Sequence, residues 1–144
     1  MTDVDTLMAD VRAGDERALA RVISLLEDRG PGHHELVSAL YEHGGNGAVI
    51  GMTGSPGVGK STLLDRMVAA YRKRGETVGV IAVDPSSPFT GGALLGDRIR
   101  VENTAGEDGV FLRSMSARGA SGGLAAATLD AVHALSVAGF DRII

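Results

Sequence analysis

The run Gly54-Ser55-Pro56-Gly57-Val58-Gly59-Lys60-Ser61 fits the pattern GxxxxGK[ST]. It constrains the fold more than any other feature, because the pattern works only between a strand and a helix. In that setting the glycines let successive backbone N–H groups curl around phosphate oxygens. Lys60 reaches the β and γ phosphates of a nucleoside triphosphate, and the Ser61 hydroxyl binds Mg²⁺. The flanks supply both elements. Upstream, Ala48-Val49-Ile50-Gly51-Met52 is a short apolar run, expected as a strand buried on both faces of a parallel sheet. Downstream, Leu63, Leu64, Met67, Val68 and Tyr71 repeat at helical spacing from Ser61 to Arg74, with Gly75 at the C-terminal cap. The helix N-terminus adds partial positive charge to the phosphate site, while Arg72, Lys73 and Arg74 complement the negative end.

Composition narrows the partners. At 144 residues and 44% apolar content the chain is one domain's worth of polypeptide with enough apolar surface for a packed core. No apolar run approaches the ~20 residues of a membrane span. The N-terminus Met1-Thr2-Asp3-Val4-Asp5 is acidic where a signal peptide is basic, so the expected location is the cytoplasm and no membrane partner is expected. There is no cysteine, hence neither a disulfide framework nor a thiolate metal site. A net charge of -4 argues against nucleic acid as a partner.

Residues 1–45 read as a helical N-terminal extension, and residues 46–144 as a nucleotide-binding domain. Leu19, Val22, Ile23 and Leu26 share one face of a helix that Asp15 caps, and Leu36, Val37, Leu40 and Tyr41 repeat the pattern after Pro31-Gly32. Gly44-Gly45-Asn46-Gly47 is expected to be a flexible link into the first strand. His33 and His34 are adjacent, so on a helix they diverge by about 100 degrees and cannot share a metal ion. A second buried strand spans Val78 to Val83 and ends at Asp84-Pro85. A carboxylate there either approaches the crevice beside the glycine loop or merely starts a turn. A helix from about Leu124 to Ala138, with Leu124, Thr128, Leu129, Val132 and Leu135 at helical spacing, leads to a further buried strand in Gly139 to Ile144. The fold class is α/β, a P-loop NTPase with a mostly parallel sheet and helices on both faces. Strand order stays open.

Two longer stretches carry more specific information. Asp84-Pro85-Ser86-Ser87-Pro88-Phe89-Thr90-Gly91-Gly92-Ala93-Leu94-Leu95-Gly96-Asp97-Arg98-Ile99-Arg100, taken with Phe111 to Gly119, closely resembles the MeaB/ArgK family of P-loop GTPases. That family also bears the older label of a lysine/arginine/ornithine transport ATPase. The resemblance covers most of the chain and implies a GTP-hydrolysing chaperone for adenosylcobalamin-dependent methylmalonyl-CoA mutase, one that assists cofactor loading and protects the mutase. It implies that Gly54, Ser55, Pro56, Gly57, Val58, Gly59, Lys60, Ser61 and Thr62 bind the nucleotide, with Lys60 catalytic. Ser61, Asp84 and Asp97 would serve Mg²⁺, with Asp97 in a switch that answers to the γ-phosphate. Arg98, Arg100, Arg113 and Arg118 are candidates for phosphate or partner contacts, against the commoner outcome of solvated or ion-paired arginines.

The chain departs from the family pattern at Thr104, at Glu107-Asp108 and at Ser121, so partner contacts and switching are less securely implied than phosphate binding. The resemblance also implies later segments: a Glu-Thr-Val-Gly stretch serving the metal and the attacking water, an Asn-Lys-x-Asp motif that selects guanine, and a dimerisation arm. Since the sequence stops at Ile143-Ile144 within an apparent strand, it reads as the N-terminal part of a longer, homodimeric protein, nearly inactive by itself. Two readings of other kinds stand beside this one. A nucleotide-dependent metal-delivery protein of related fold would need Cys or His clusters. A transport-coupled ATPase or small-molecule kinase would need a membrane partner or an acceptor pocket.

Overall fold

The computed structural model describes residues 3–55, 57–84, 107–116 and 121–144, without the side chains of Asp84, Ser116 and 121–125. Among these residues the elements run α1 (Val4–Arg12), α2 (Glu16–Asp28), α3 (His33–His43), β1 (Ala48–Val49), α4 (Lys60–Lys73), β2 (Val78–Asp84), β3 (Val110–Ser116), α5 (Ser121–Val137) and β4 (Arg142–Ile143). The four strands form one parallel sheet in the order β1-β4-β2-β3, so the fold is α/β as expected. No helix of the described residues is long and apolar enough to cross a membrane.

Local chemistry explains the helix ends. The Asp15 side chain accepts from Arg17 N at 2.8 Å and Ala18 N at 3.1 Å, pairing two of the N–H groups that α2 cannot satisfy internally. At the other end of α4, Gly75 N donates to Arg72 O and Glu76 N to Tyr71 O, with Gly75 at φ +79. That double closure is the left-handed helix stop that glycine favours.

The sheet's two faces are covered unequally. Phe111, Met115 and Ile143 turn toward α5 and the three N-terminal helices, joining Leu7, Leu19, Ile23, Leu26, Leu40 and Leu135 in one continuous core. Val78, Val80 and Val110 turn the other way, onto Val68 of α4. As read from the sequence, Leu19, Val22, Ile23 and Leu26 are all buried.

Several expectations change. The first strand was expected to be buried on both faces, yet its pairing covers only Ala48–Val49 and Val49 is 60% exposed. The reason is its place: among the described strands β1 lies at the end of the sheet with β4 as its neighbour. On α4 only Val68 is fully buried, Leu64 and Tyr71 pack at the rim, and Leu63 is exposed. On α5 the buried side chains described are Ala127, Ala131, Ala134, Leu135 and Val137, while Leu129 is exposed. Small alanines bring α5 close to α2, α3 and the sheet, which larger residues at those positions would prevent. Tyr41 lies outside the core and stacks on His133 with ring centroids 4.3 Å apart. Gly44 to Gly47 do more than link. A Cβ at Gly45 would stand 2.2 Å from Ser136 Oγ, and Gly47 N donates to that hydroxyl at 3.1 Å.

Candidate functional site

All strands being parallel, their carboxyl ends share one edge of the sheet, which is where ligands of open α/β sheets bind. The glycine loop leaves β1 at that edge, and β2 brings the backbone of Asp84 to it. Gly57 and Gly59 adopt φ of +81 and +98, and nothing stands within 4 Å of where a Cβ would be. Any L side chain would be strained there and would fill the open space beside the loop.

Gly59 caps α4, which starts at Lys60. The first-turn N–H groups of α4 have no intrahelical carbonyl to bond, and the helix dipole adds positive charge at that end. Lys60 Nζ reaches back over the loop and donates to Gly54 O at 2.5 Å. Gly54, Ser55, Gly57, Val58, Gly59 and Thr62 are exposed, and Lys60 and Ser61 half-buried. This arrangement can hold an anion: open backbone, a helix N-terminus and one cation whose present partner is a neutral carbonyl. The Ser61 hydroxyl belongs to the first turn of α4, and an oxygen donor of that kind suits Mg²⁺.

Pro56 and Asp97 lie outside the described residues, as do Arg98, Arg100 and Arg118, so the structure brings together the loop, Lys60, Ser61, Thr62 and the backbone of Asp84. Arg113 is ion-paired to Glu27 at 2.6 Å. No local sequence signal marks this contact, because Glu27 sits 86 residues earlier. No group of three or more His, Cys, Asp or Glu able to hold a metal ion occurs among the described residues, and His33 and His34 form none.

The opposite, amino edge differs in chemistry. Thr77 N and Oγ1 donate to Asp141 Oδ2 at 2.8 and 3.1 Å, and these bonds, the backbone one foremost, lower the Asp141 carboxyl pKa. Arg142 Nε donates to Glu76 Oε2, which lowers the Glu76 pKa and raises that of Arg142. The Arg142 guanidinium also lies 5.0 Å from the Tyr71 ring centroid. A cleft of about 220 Å³ opens at this edge, lined in part by Asp15, Glu16, Thr77 and Asp108. Its carboxylates repel an anion, so it is not the phosphate site.

Comparison with known proteins adds the family. Residues 19–144 match the family model described as "Methylmalonyl Co-A mutase-associated GTPase MeaB". A Pyrococcus abyssi protein named as a candidate GTPase is 51% identical over 140 residues, 97% of this chain and 43% of its own length. The GTPase ArgK of Escherichia coli is 37% identical over 138 residues, 93% of this chain and 42% of its own. A fused isobutyryl-CoA mutase of Cupriavidus metallidurans is 41% identical over 144 residues, 96% of this chain and 13% of its own. The chain thus spans less than half the length of these relatives.

Proposed function

Because the chain belongs to the MeaB family of mutase-associated GTPases, we propose that it is the phosphate-binding part of a GTP-hydrolysing chaperone for a cobalamin-dependent mutase. In this reading the chaperone assists adenosylcobalamin loading and protects methylmalonyl-CoA mutase. The observation that carries it is the loop itself, open at Gly57 and Gly59 and running into the N-terminus of α4 under the Lys60 ammonium. A relative that joins such a region to an acyl-CoA mutase in one polypeptide supports the choice of partner. Full-length protein is proposed to be a cytoplasmic homodimer.

The residues take these roles. Backbone N–H groups of Gly57 to Thr62 donate to phosphate oxygens, with Gly54, Ser55 and Pro56 shaping the approach. Lys60 leaves the Gly54 carbonyl for the β and γ phosphates, where its charge offsets the negative charge of the transition state. Ser61, Asp84 and Asp97 would be the residues that hold Mg²⁺. When bound, Mg²⁺ would offset part of the negative charge of the phosphates. The exchange of a neutral partner for a charged one makes phosphate binding favourable at Lys60 without rebuilding the loop.

The test is capture of methylmalonyl-CoA mutase by the full-length protein with and without GTP, together with GTP turnover. The reading expects nucleotide-dependent capture and mutase-stimulated turnover. Nucleotide-independent capture, or none, would overturn the chaperone role.

A further inference from the structure

We propose that Arg113 and Glu27 form a two-position latch that passes the state of the sheet's carboxyl edge to the helical layer, an inference that rests on the nucleotide reading above. Arg113 lies on the face of β3 that carries Phe111 and Met115, both buried against the helices. A guanidinium therefore stands where the strand's alternation calls for an apolar group. Its Nη2 donates to Glu27 Oε2 at 2.6 Å and to Ser24 Oγ at 3.0 Å, both on α2, and Ser24 Oγ donates on to Ala20 O. The adjacent Nε is buried and has no hydrogen-bond partner among the described residues.

Nε and Nη2 are the two donors of one side of the guanidinium, which together grip a carboxylate as a bidentate fork. In this structure half of that fork is made. Completing it requires a small slide of β3 along α2. The two arrangements are discrete, because the buried Nε–H is either paired or unpaired.

Strand β3 is placed to be pulled. Among the described strands it lies at the end of the sheet, bonded to β2 along its whole length, with Asp84 opposite Ser116 and Ile81 opposite Arg113. A ligand that draws on the last residue of β2 moves β3 with it, and Arg113 conveys the shift to Glu27 in the last turn of α2. Mere stability would not require these charges, since the pair is only part-buried, with side chains 28% and 25% exposed, and ion pairs that water reaches add little.

Amide hydrogen exchange on the full-length protein, with and without Mg²⁺ and a non-hydrolysable GTP analogue, tests the latch. Wild type is expected to show slowed exchange at residues 57–62 and a change of about fivefold at residues 24–28, the low end of ordinary coupling. Arg113→Lys, which has one nitrogen and cannot fork, keeps the loop protection and loses the change at 24–28. The double variant Arg113→Met/Glu27→Met keeps its unfolding midpoint and also loses that change. A protected loop with no response at 24–28 in wild type, or a response that survives in either variant, overturns the latch. A loop left unprotected in wild type overturns the nucleotide reading and the latch with it, and so tells the two failures apart.

Discussion

The two edges of the sheet are built on opposite principles. At the amino edge, Thr77 and Asp141 bond each other reciprocally, Glu76 links Arg74 and Arg142, and Gly45 and Gly47 press against Ser136. At the carboxyl edge, Val49, Val58, Leu63 and Val83 are exposed, and among the described residues Lys60 Nζ donates to the Gly54 carbonyl. One edge pairs Glu76 and Asp141 with groups of the chain itself. The other, among the described residues, presents a cation bonded to a neutral carbonyl, exposed loop backbone and a helix N-terminus. The contrast teaches that stability and ligand capture are separated in space, so substitutions should divide cleanly between them.

The largest expected effect belongs to the packed side. Leu135 is fully buried and lies against Gly79, 2.9 Å from where a Cβ would stand. Leu135→Ala should lower stability by about 2–5 kcal/mol in urea unfolding, through lost burial and the cavity left behind. Where the variant remains folded, nucleotide affinity should be unchanged. Next comes Gly45→Ala, whose new methyl group would meet Ser136 backbone at 2.6 Å. Overpacking of this kind should cost about 1–3 kcal/mol, read as a lower thermal midpoint. A variant as stable as wild type would show that the glycine run is only a link.

Lys60→Ala probes the other edge. It should weaken triphosphate binding by at least about tenfold, which is 1.4 kcal/mol, while stability stays within about 0.5 kcal/mol of wild type. The smallest effect concerns acid. Asp141 has a lowered pKa in the folded protein, so its stabilising contribution is present above the usual aspartate range and is lost as pH falls through and below about 4. Asp141→Asn should therefore lessen the steepness of acid unfolding and leave phosphate binding alone. An unchanged acid limb would remove the carboxylate from the account of this edge.

What was legible in the sequence followed short-range physics. The Asp15 cap, the α2 stripe and the strand ending at Asp84 all depend on neighbours a few residues apart. Strand β3 carries no clear strand signal, because Arg113 and Ser114 interrupt its apolar run and the carboxylate that compensates Arg113 is far away in sequence. Periodicity puts Tyr41 and Leu129 on packed faces because size and apolarity dominate it. The contact is instead made by Ala127, Ala131 and Ala134, whose small size matters only once another helix is known to approach. The glycines at 45 and 47 likewise looked like freedom and proved to be clearance. For the candidate site, the loop's order between strand and helix was readable, and the positive φ of Gly57 and Gly59 required the folded chain.

The central claim is that the Gly54 to Thr62 loop holds a Mg²⁺-bound guanine nucleotide. Calorimetric titration of Mg²⁺·GTP into the full-length protein and its Lys60→Ala variant tests it most directly. The account predicts saturable binding by the wild type and at least about tenfold weaker binding by the variant, at equal thermal stability. Equal affinity in both, or no binding by the wild type, would contradict it.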